Sequence, residues 1–202
     1  MSASGNVPAQ DIINVVGPVT IRRATVADAA LIAQVRVDSW RATYRGVIPD
    51  AYLDGMKVED STQLWTRVLG AGSDAACTFV AEIVNDNDSD RELVGFAAGI
   101  TLAERKLEFD AELTALYVLP SAQRAGIGRR LLTQTAATLA AAGAPNLLVW
   151  VLAKNRKARD FYQRLDGKLL AEQTFKWDEL DLIETVYGWR DIGSIGTITT
   201  VS

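Results

Sequence analysis

The run Glu112-Leu113-Thr114-Ala115-Leu116-Tyr117-Val118-Leu119-Pro120 passes directly into Ser121-Ala122-Gln123-Arg124-Ala125-Gly126-Ile127-Gly128-Arg129-Arg130-Leu131-Leu132. The first part has the apolar character of a strand and Pro120 closes it. Two glycines and three arginines then mark the start of a helix. The first turn of a helix offers free backbone N–H groups and the positive end of the dipole, so the junction suits a phosphate. Two familiar phosphate loops do not fit. No Gly-Lys-Ser/Thr follows Gly126-Ile127-Gly128, which argues against magnesium-nucleotide chemistry. Position 131 is leucine, so Gly-x-Gly-x-x-Gly is absent and a dinucleotide fold is disfavoured.

Working outward, Val19–Arg23 reads as a first strand, and Thr25 with Asp28 resembles a capping box opening a helix through Ala29–Val35. Between Asp38 and Asp50, aromatic and basic residues are broken by Gly46 and Pro49. Trp40 and Tyr44, four apart, either share a packed helix face or line a substrate cleft. A short helix over Ala51–Met56 and an amphipathic one over Glu59–Leu69 follow, the second with Leu64, Trp65 and Leu69 facing inward. Thr78–Val84 and Glu92–Ile100 read as a hairpin around the polar residues 85–90. Residues 103–110 read as a charged loop. Asn146–Leu152 is apolar throughout, as in a strand buried on both faces. A helix over Asn155–Leu165 and an antiparallel pair, Lys168–Phe175 with Leu182–Trp189, complete the order. The expectation is an α/β fold with a mixed, mostly antiparallel central sheet flanked by helices on both faces. Residues 1–18 are expected to be a mobile lead-in, 19–190 a single domain, and 191–202 a frayed tail.

With 202 residues, 49% hydrophobic and 23% charged, the chain can bury a substantial core. Its net charge of −4 argues against nucleic acid as the main partner. The sequence has no histidine and one cysteine, Cys77. This excludes Ser-His-Asp and Cys-His engines and disfavours zinc. The acidic and amide run 85–90 lacks the Gly and bidentate Glu spacing of a calcium loop, so no metal is expected. No basic-then-apolar leader opens the chain and no apolar run reaches membrane-spanning length, so a cytoplasmic protein without a membrane partner is expected.

The strand ending at Pro120, the pattern Gln123-x-x-Gly126-x-Gly128 and the segment Asn155-Arg156-Lys157-Ala158-Arg159-Asp160-Phe161-Tyr162 together resemble the Gcn5-related N-acetyltransferase (GNAT) family. The resemblance covers residues 19–190. It implies acetyl-CoA as co-substrate, with Gln123, Arg124, Gly126, Gly128 and Arg129 around its pyrophosphate. It further implies that backbone at Leu116 and Val118, with Asn155, holds the pantetheine arm between the 112–120 strand and the Leu147–Leu152 strand.

Acetyl transfer needs a neutral amine, a stabilised carbonyl oxygen and a proton for the leaving thiolate. Tyr162 is the candidate acid: a phenol of pKa about 10 can donate to a thiolate of pKa about 8.5. Seven residues after Asn155, it lies two helical turns along the same face; the alternative is a core tyrosine beside Phe161. The Val118 N–H is the candidate carbonyl donor. Glu112 shares a strand face with Thr114, Leu116 and Val118 by period two, and lies eleven residues before Gln123, the offset of the catalytic glutamate in histone-type members. It is the candidate base, acting directly or through water; otherwise it is a solvated charge. Members acetylating a ribosomal N-terminus carry a glutamate where Trp150 stands, which weakens that substrate. A ping-pong route through Cys77 is disfavoured because it has no histidine partner. The acids Glu104, Glu108, Asp110 and Glu112 would suit a cationic substrate. The substrate reads as a small-molecule or peptide amine, with homodimer formation open. The rival is a non-catalytic acyl-CoA-binding regulatory module.

Overall fold

Apolar alternation builds a seven-stranded sheet with a helical layer on each face. A computed structural model describes residues 17–84, 91–177 and 180–196. Its elements are β1 (Val19–Arg23), α1 (Ala29–Tyr44), α2 (Asp50–Gly55), α3 (Val58–Gly70), β2 (Ala76–Val84), β3 (Arg91–Lys106) and β4 (Phe109–Val118). Then come α4 (Ile127–Ala141), β5 (Leu147–Leu152), α5 (Arg156–Arg164), β6 (Lys168–Trp177) and β7 (Leu180–Trp189). The strand order is β1-β2-β3-β4-β5-β7-β6, antiparallel throughout except for the β4–β5 pair. This is the mixed, mostly antiparallel sheet expected from the element order.

Period-two alternation sorts the side chains between two cores. Val80, Leu93, Phe96 and Ala98 pack with α1 and with Trp65 of α3. Phe79, Ala81, Val94 and Ala97 face the other way, onto Leu131, Leu132 and Leu139 of α4. A Cβ on Gly99 would lie 2.7 Å from Thr135 Cγ2 and 2.8 Å from Leu139 Cδ1, so glycine there lets α4 close on β3. Asp28 anchors the start of α1: it takes both guanidinium nitrogens of Arg22, at 2.7 and 2.8 Å, and the Thr25 backbone N–H at 2.7 Å. Glu82 completes the cluster at 2.5 Å from Arg22.

Two irregularities shape the site. In the β3–β4 register Ala98 faces Ala115 but Gly99 faces Leu113, leaving Thr114 as the extra residue of a bulge. Leu113, Leu116 and Val118 therefore all pack toward α4, whereas Ala115 and Tyr117 face α1 and α3. The bulge breaks the simple alternation, so Glu112 does not share a face with Leu116 and Val118. Secondly, β4 and β5 pair at Glu112–Leu148 and Leu113–Val149 and then diverge.

Other expectations change as well. Residues 103–110 are no loop: β3 runs to Lys106 and turns through Leu107 (φ +49°) and Glu108 (φ +66°) straight into β4. Leu64 points outward from α3, 41% exposed, while Trp65 is buried. The tail expected from 191 is packed as far as Gly196: Ile192 and Ile195 are buried against the α4 core, and a Cβ on Gly196 would meet Thr133 Oγ1 at 2.4 Å. Apolar side chains and a close backbone approach hold it down. Pro18 already belongs to the sheet edge, its carbonyl accepting from Val84 N–H at 3.2 Å. The remaining lead-in (1–16), the polar turn 85–90 and the end of the tail (197–202) lie outside the described residues. No helix among the described residues is long and apolar enough to cross a membrane.

Candidate active site

Where β4 and β5 part, a cavity of about 630 Å³ opens. One wall is the strand itself. Leu119 N–H donates to Val94 C=O on β3 at 2.8 Å, so by antiparallel alternation the N–H and C=O groups of Leu116 and Val118 point away from β3, into the gap. The Val118 carbonyl takes the Gln123 side-chain amide at 3.0 Å, which fixes the loop to the strand.

That loop is shaped by backbone conformation. Arg124 (φ +70°) and Gly126 (φ +77°) are both left-handed and flank Ala125, just ahead of the α4 N-terminus. Successive N–H groups in such a turn form a concave anion site, reinforced by the helix dipole. A Cβ on Gly126 would meet nothing within 4 Å, so the cradle is open. A diphosphate fits this donor set. Gly128 lies where α4 meets α5: a Cβ there would sit 3.4 Å from the Phe161 ring, an ordinary contact distance. Arg124 lines the cavity without an ion pair among the described residues. Arg129 also lines it, but its Nη2 donates to Gly196 C=O at 2.7 Å, tying the packed C-terminal segment to the loop.

The opposite wall is α5. Asn155 is its N-cap, accepting from Ala158 N–H at 3.1 Å, and its Nδ2 donates to Tyr44 Oη at 3.4 Å. Tyr162 is 5% exposed and lines the same cavity, with no hydrogen bond to its hydroxyl among the described residues. Burial pushes its pKa far above the ordinary phenol value, and the neighbouring phenols Tyr117 and Tyr44 add to that. Tyr44 is pushed up to about 12 by burial and by Tyr117, against the pull of the Asn155 hydrogen bond. Burial also raises Tyr117, whose oxygen accepts from Trp40 Nε1 at 2.9 Å. Trp40 and Tyr44 stack edge to face at 5.2 Å while Tyr44 lines the cavity, so the two readings of that pair describe one packed helix face with a cleft side.

The structure thus brings together Leu116, Val118, Gln123, Arg124, Gly126, Gly128, Arg129, Asn155 and Tyr162. It does not bring Glu112 with them. Glu112 lies outside the cavity lining, and its carboxylate pairs with Lys106 Nζ at 2.6 Å. Asp110 pairs with Arg105 at 2.7 Å and Glu108 with Arg190 at 3.2 Å, so the acidic cluster is largely answered by its own hairpin and by Arg190. Cys77 is buried away from the cavity, its thiol pKa raised by burial. Sequence reasoning missed Tyr117, Ser39 and Thr43, which also line the cavity. Spacing from Trp40 and Tyr44 along α1 could have found Ser39 and Thr43; Tyr117 was hidden within an apolar run.

Comparison with known proteins agrees with this geometry. Residues 36–167 match the model of the acetyltransferase (GNAT) family. An uncharacterized N-acetyltransferase of Bacillus subtilis (strain 168), YuaI, is 33% identical over 180 residues, spanning 89% of this chain and 98% of the relative. A spermidine N(1)-acetyltransferase of Thermoplasma acidophilum is 23% identical over 148 residues, spanning 72% and 86%. The crystal structure of a PaiA N-acetyltransferase from Thermoplasma acidophilum in complex with coenzyme A superposes with a TM-score of 0.59 at 21% identity, covering 83% of this chain and 98% of that one. The chain belongs to the GNAT family of acetyl-CoA-dependent N-acetyltransferases.

Proposed function

We propose that this protein acetylates a primary amine by direct attack on acetyl-CoA, without a covalent enzyme intermediate. One observation carries the reading. The nest at Arg124–Gly126, the backbone of Leu116 with the N–H of Val118, turned away from β3, and the Asn155–Tyr162 face of α5 all border one gap. When bound, acetyl-CoA supplies an activated thioester. The loop amides and Arg124 hold its diphosphate. Leu116 and Val118 pair with its amide-bearing arm, and the Val118 N–H stabilises charge on the carbonyl oxygen. Tyr162 holds a proton at Oη, kept there by burial in the resting site, and delivers it to the departing sulfur. The position of Glu112 does not support direct proton abstraction by it.

Gly126→Asp tests the cradle. It places a carboxylate where the diphosphate is received and forces a Cβ residue to φ +77°. Acetyl-CoA affinity measured by calorimetry should fall at least about 100-fold, from like-charge repulsion at contact distance. Gly126→Ala separates out the backbone strain, which is worth about 1 kcal/mol. Equal affinity in wild type and Gly126→Asp would refute the loop assignment. The rival, a binding module without turnover, predicts acetyl-CoA binding but no amine-dependent thiol release. The unpartnered Tyr162 hydroxyl favours catalysis.

A further inference from the structure

Hydrogen-bond bookkeeping at the amine end of the cavity narrows the substrate. Tyr117 Oη accepts from Trp40 Nε1 at 2.9 Å and Tyr44 Oη accepts from Asn155 Nδ2 at 3.4 Å. Each phenol therefore has acceptor capacity already engaged and one O–H left to give. No acceptor among the described residues takes either one, and both residues line the cavity. On the same α1 wall, the Ser39 hydroxyl is buried and unpartnered. A wall with unspent donors is complementary to a ligand acceptor, because leaving a buried donor unpaired is costly.

The charges point the same way. Among the described residues, Asp160 is the single carboxylate lining the cavity. Outside it, Asp110, Glu112 and Glu108 are occupied by Arg105, Lys106 and Arg190. A polyamine tail would find little counter-charge. Proton economy adds an independent reason: no carboxylate at this end stands ready to deprotonate an ammonium. An amine of pKa about 10.4 is neutral in only about one molecule in 2,500 at pH 7, but one beside a carbonyl, of pKa about 7.7, in about one in six.

We infer that the acceptor is an α-amine with an adjacent carbonyl, as in an amino-acid amide or a peptide N-terminus, its carbonyl oxygen taking the O–H groups of Tyr44 and Tyr117. The inference rests on the acetyltransferase reading above. The nitrogen attacks the thioester carbon, the C–S bond breaks, the sulfur takes the proton of Tyr162, the proton lost from nitrogen leaves to solvent, and the Tyr162 phenolate regains a proton from solvent as the products depart.

The test compares leucinamide with 3-methylbutylamine, the same skeleton without the carboxamide, and with spermidine. Thiol release is measured at matched concentrations of neutral amine, so that differences in basicity drop out. Wild-type kcat/KM should favour leucinamide over 3-methylbutylamine by about tenfold or more, the discrimination expected when one amine satisfies buried donors and the other does not. In Tyr44→Phe that ratio should collapse toward one, with acetyl-CoA affinity unchanged. Tyr117→Phe should act alike; it strands Trp40 Nε1 whereas Tyr44→Phe strands Asn155 Nδ2, so a collapse shared by both variants reports the lost phenols rather than either stranded donor. A wild-type ratio near one, a preference for spermidine, or a ratio untouched in both variants would overturn the inference and leave the acetyltransferase reading standing. Bound acetyl-CoA with no thiol release from any of the amines would instead overturn the enzymatic reading, and this inference with it.

Discussion

Tyr162→Phe isolates the proposed acid because of where its hydroxyl sits. The ring is held edge to face by Phe161 at 5.3 Å and by Trp189 at 6.0 Å, contacts that phenylalanine keeps. The oxygen has no hydrogen bond among the described residues, so its removal strands no partner. Deleting a cavity-lining hydroxyl without a protein partner is close to neutral, and the melting temperature should hold. Proton donation to a leaving group contributes about 10²- to 10⁴-fold, so kcat should fall by at least about 100-fold, or about 2.7 kcal/mol of barrier. Since the donation occurs only in the transition state, kcat and kcat/KM should fall together while acetyl-CoA affinity stays unchanged. The wild-type pH profile carries a matching signature. The raised pKa keeps Tyr162 protonated, so activity should climb as the amine loses its proton, with no alkaline decline from Tyr162 below about pH 10. A Tyr162→Phe enzyme that binds acetyl-CoA and turns over at the wild-type rate would remove this residue from the chemistry.

Acid stability should report the Arg22–Asp28 pair. Asp28 is lowered to about 2 from 3.8, chiefly by its hydrogen bonds from Arg22, so its stabilisation is complete above pH 3.8 and fades as pH falls toward 2. The loss is about 2 kcal/mol, read as a falling denaturant midpoint; identical pH dependence in Asp28→Asn would refute this. Glu112→Gln should leave kcat within about threefold, because it removes a half-exposed ion pair with Lys106 rather than a cavity group. A tenfold or larger loss at unchanged stability would restore Glu112 as the base.

Much of this was legible in the residues. The strand–loop–helix through 112–132, the helix beginning at Asn155 and the two-turn spacing to Tyr162 rest on local chemistry, and local chemistry survives folding. What failed depended on tertiary detail. The bulge at Thr114 has no glycine to announce it, yet it moves Glu112 off the face of Leu116 and Val118. The Leu107–Glu108 turn uses two residues with positive φ and no glycine, so turn preferences took it for part of a loop. Ile192 and Ile195 carry no period strong enough to predict burial, and the docking of Gly196 on Thr133 arises from a contact far apart in sequence. Gln123 belongs to the loop motif, but its side chain latches the loop to the strand through the Val118 carbonyl.

The divergence of β4 from β5 has a consequence for association. It leaves a bare strand edge, a row of amides at Leu116 and Val118 that elsewhere in a sheet would recruit another chain. Here that edge lies in the middle of the sheet, inside a crevice walled by α5 and closed at its base by the Leu113–Val149 pair. A foreign strand, with side chains on both faces, is too broad to enter. A thin, flexible chain carrying amides of its own is not. The fold keeps an adhesive edge by placing it where only a slender partner can reach.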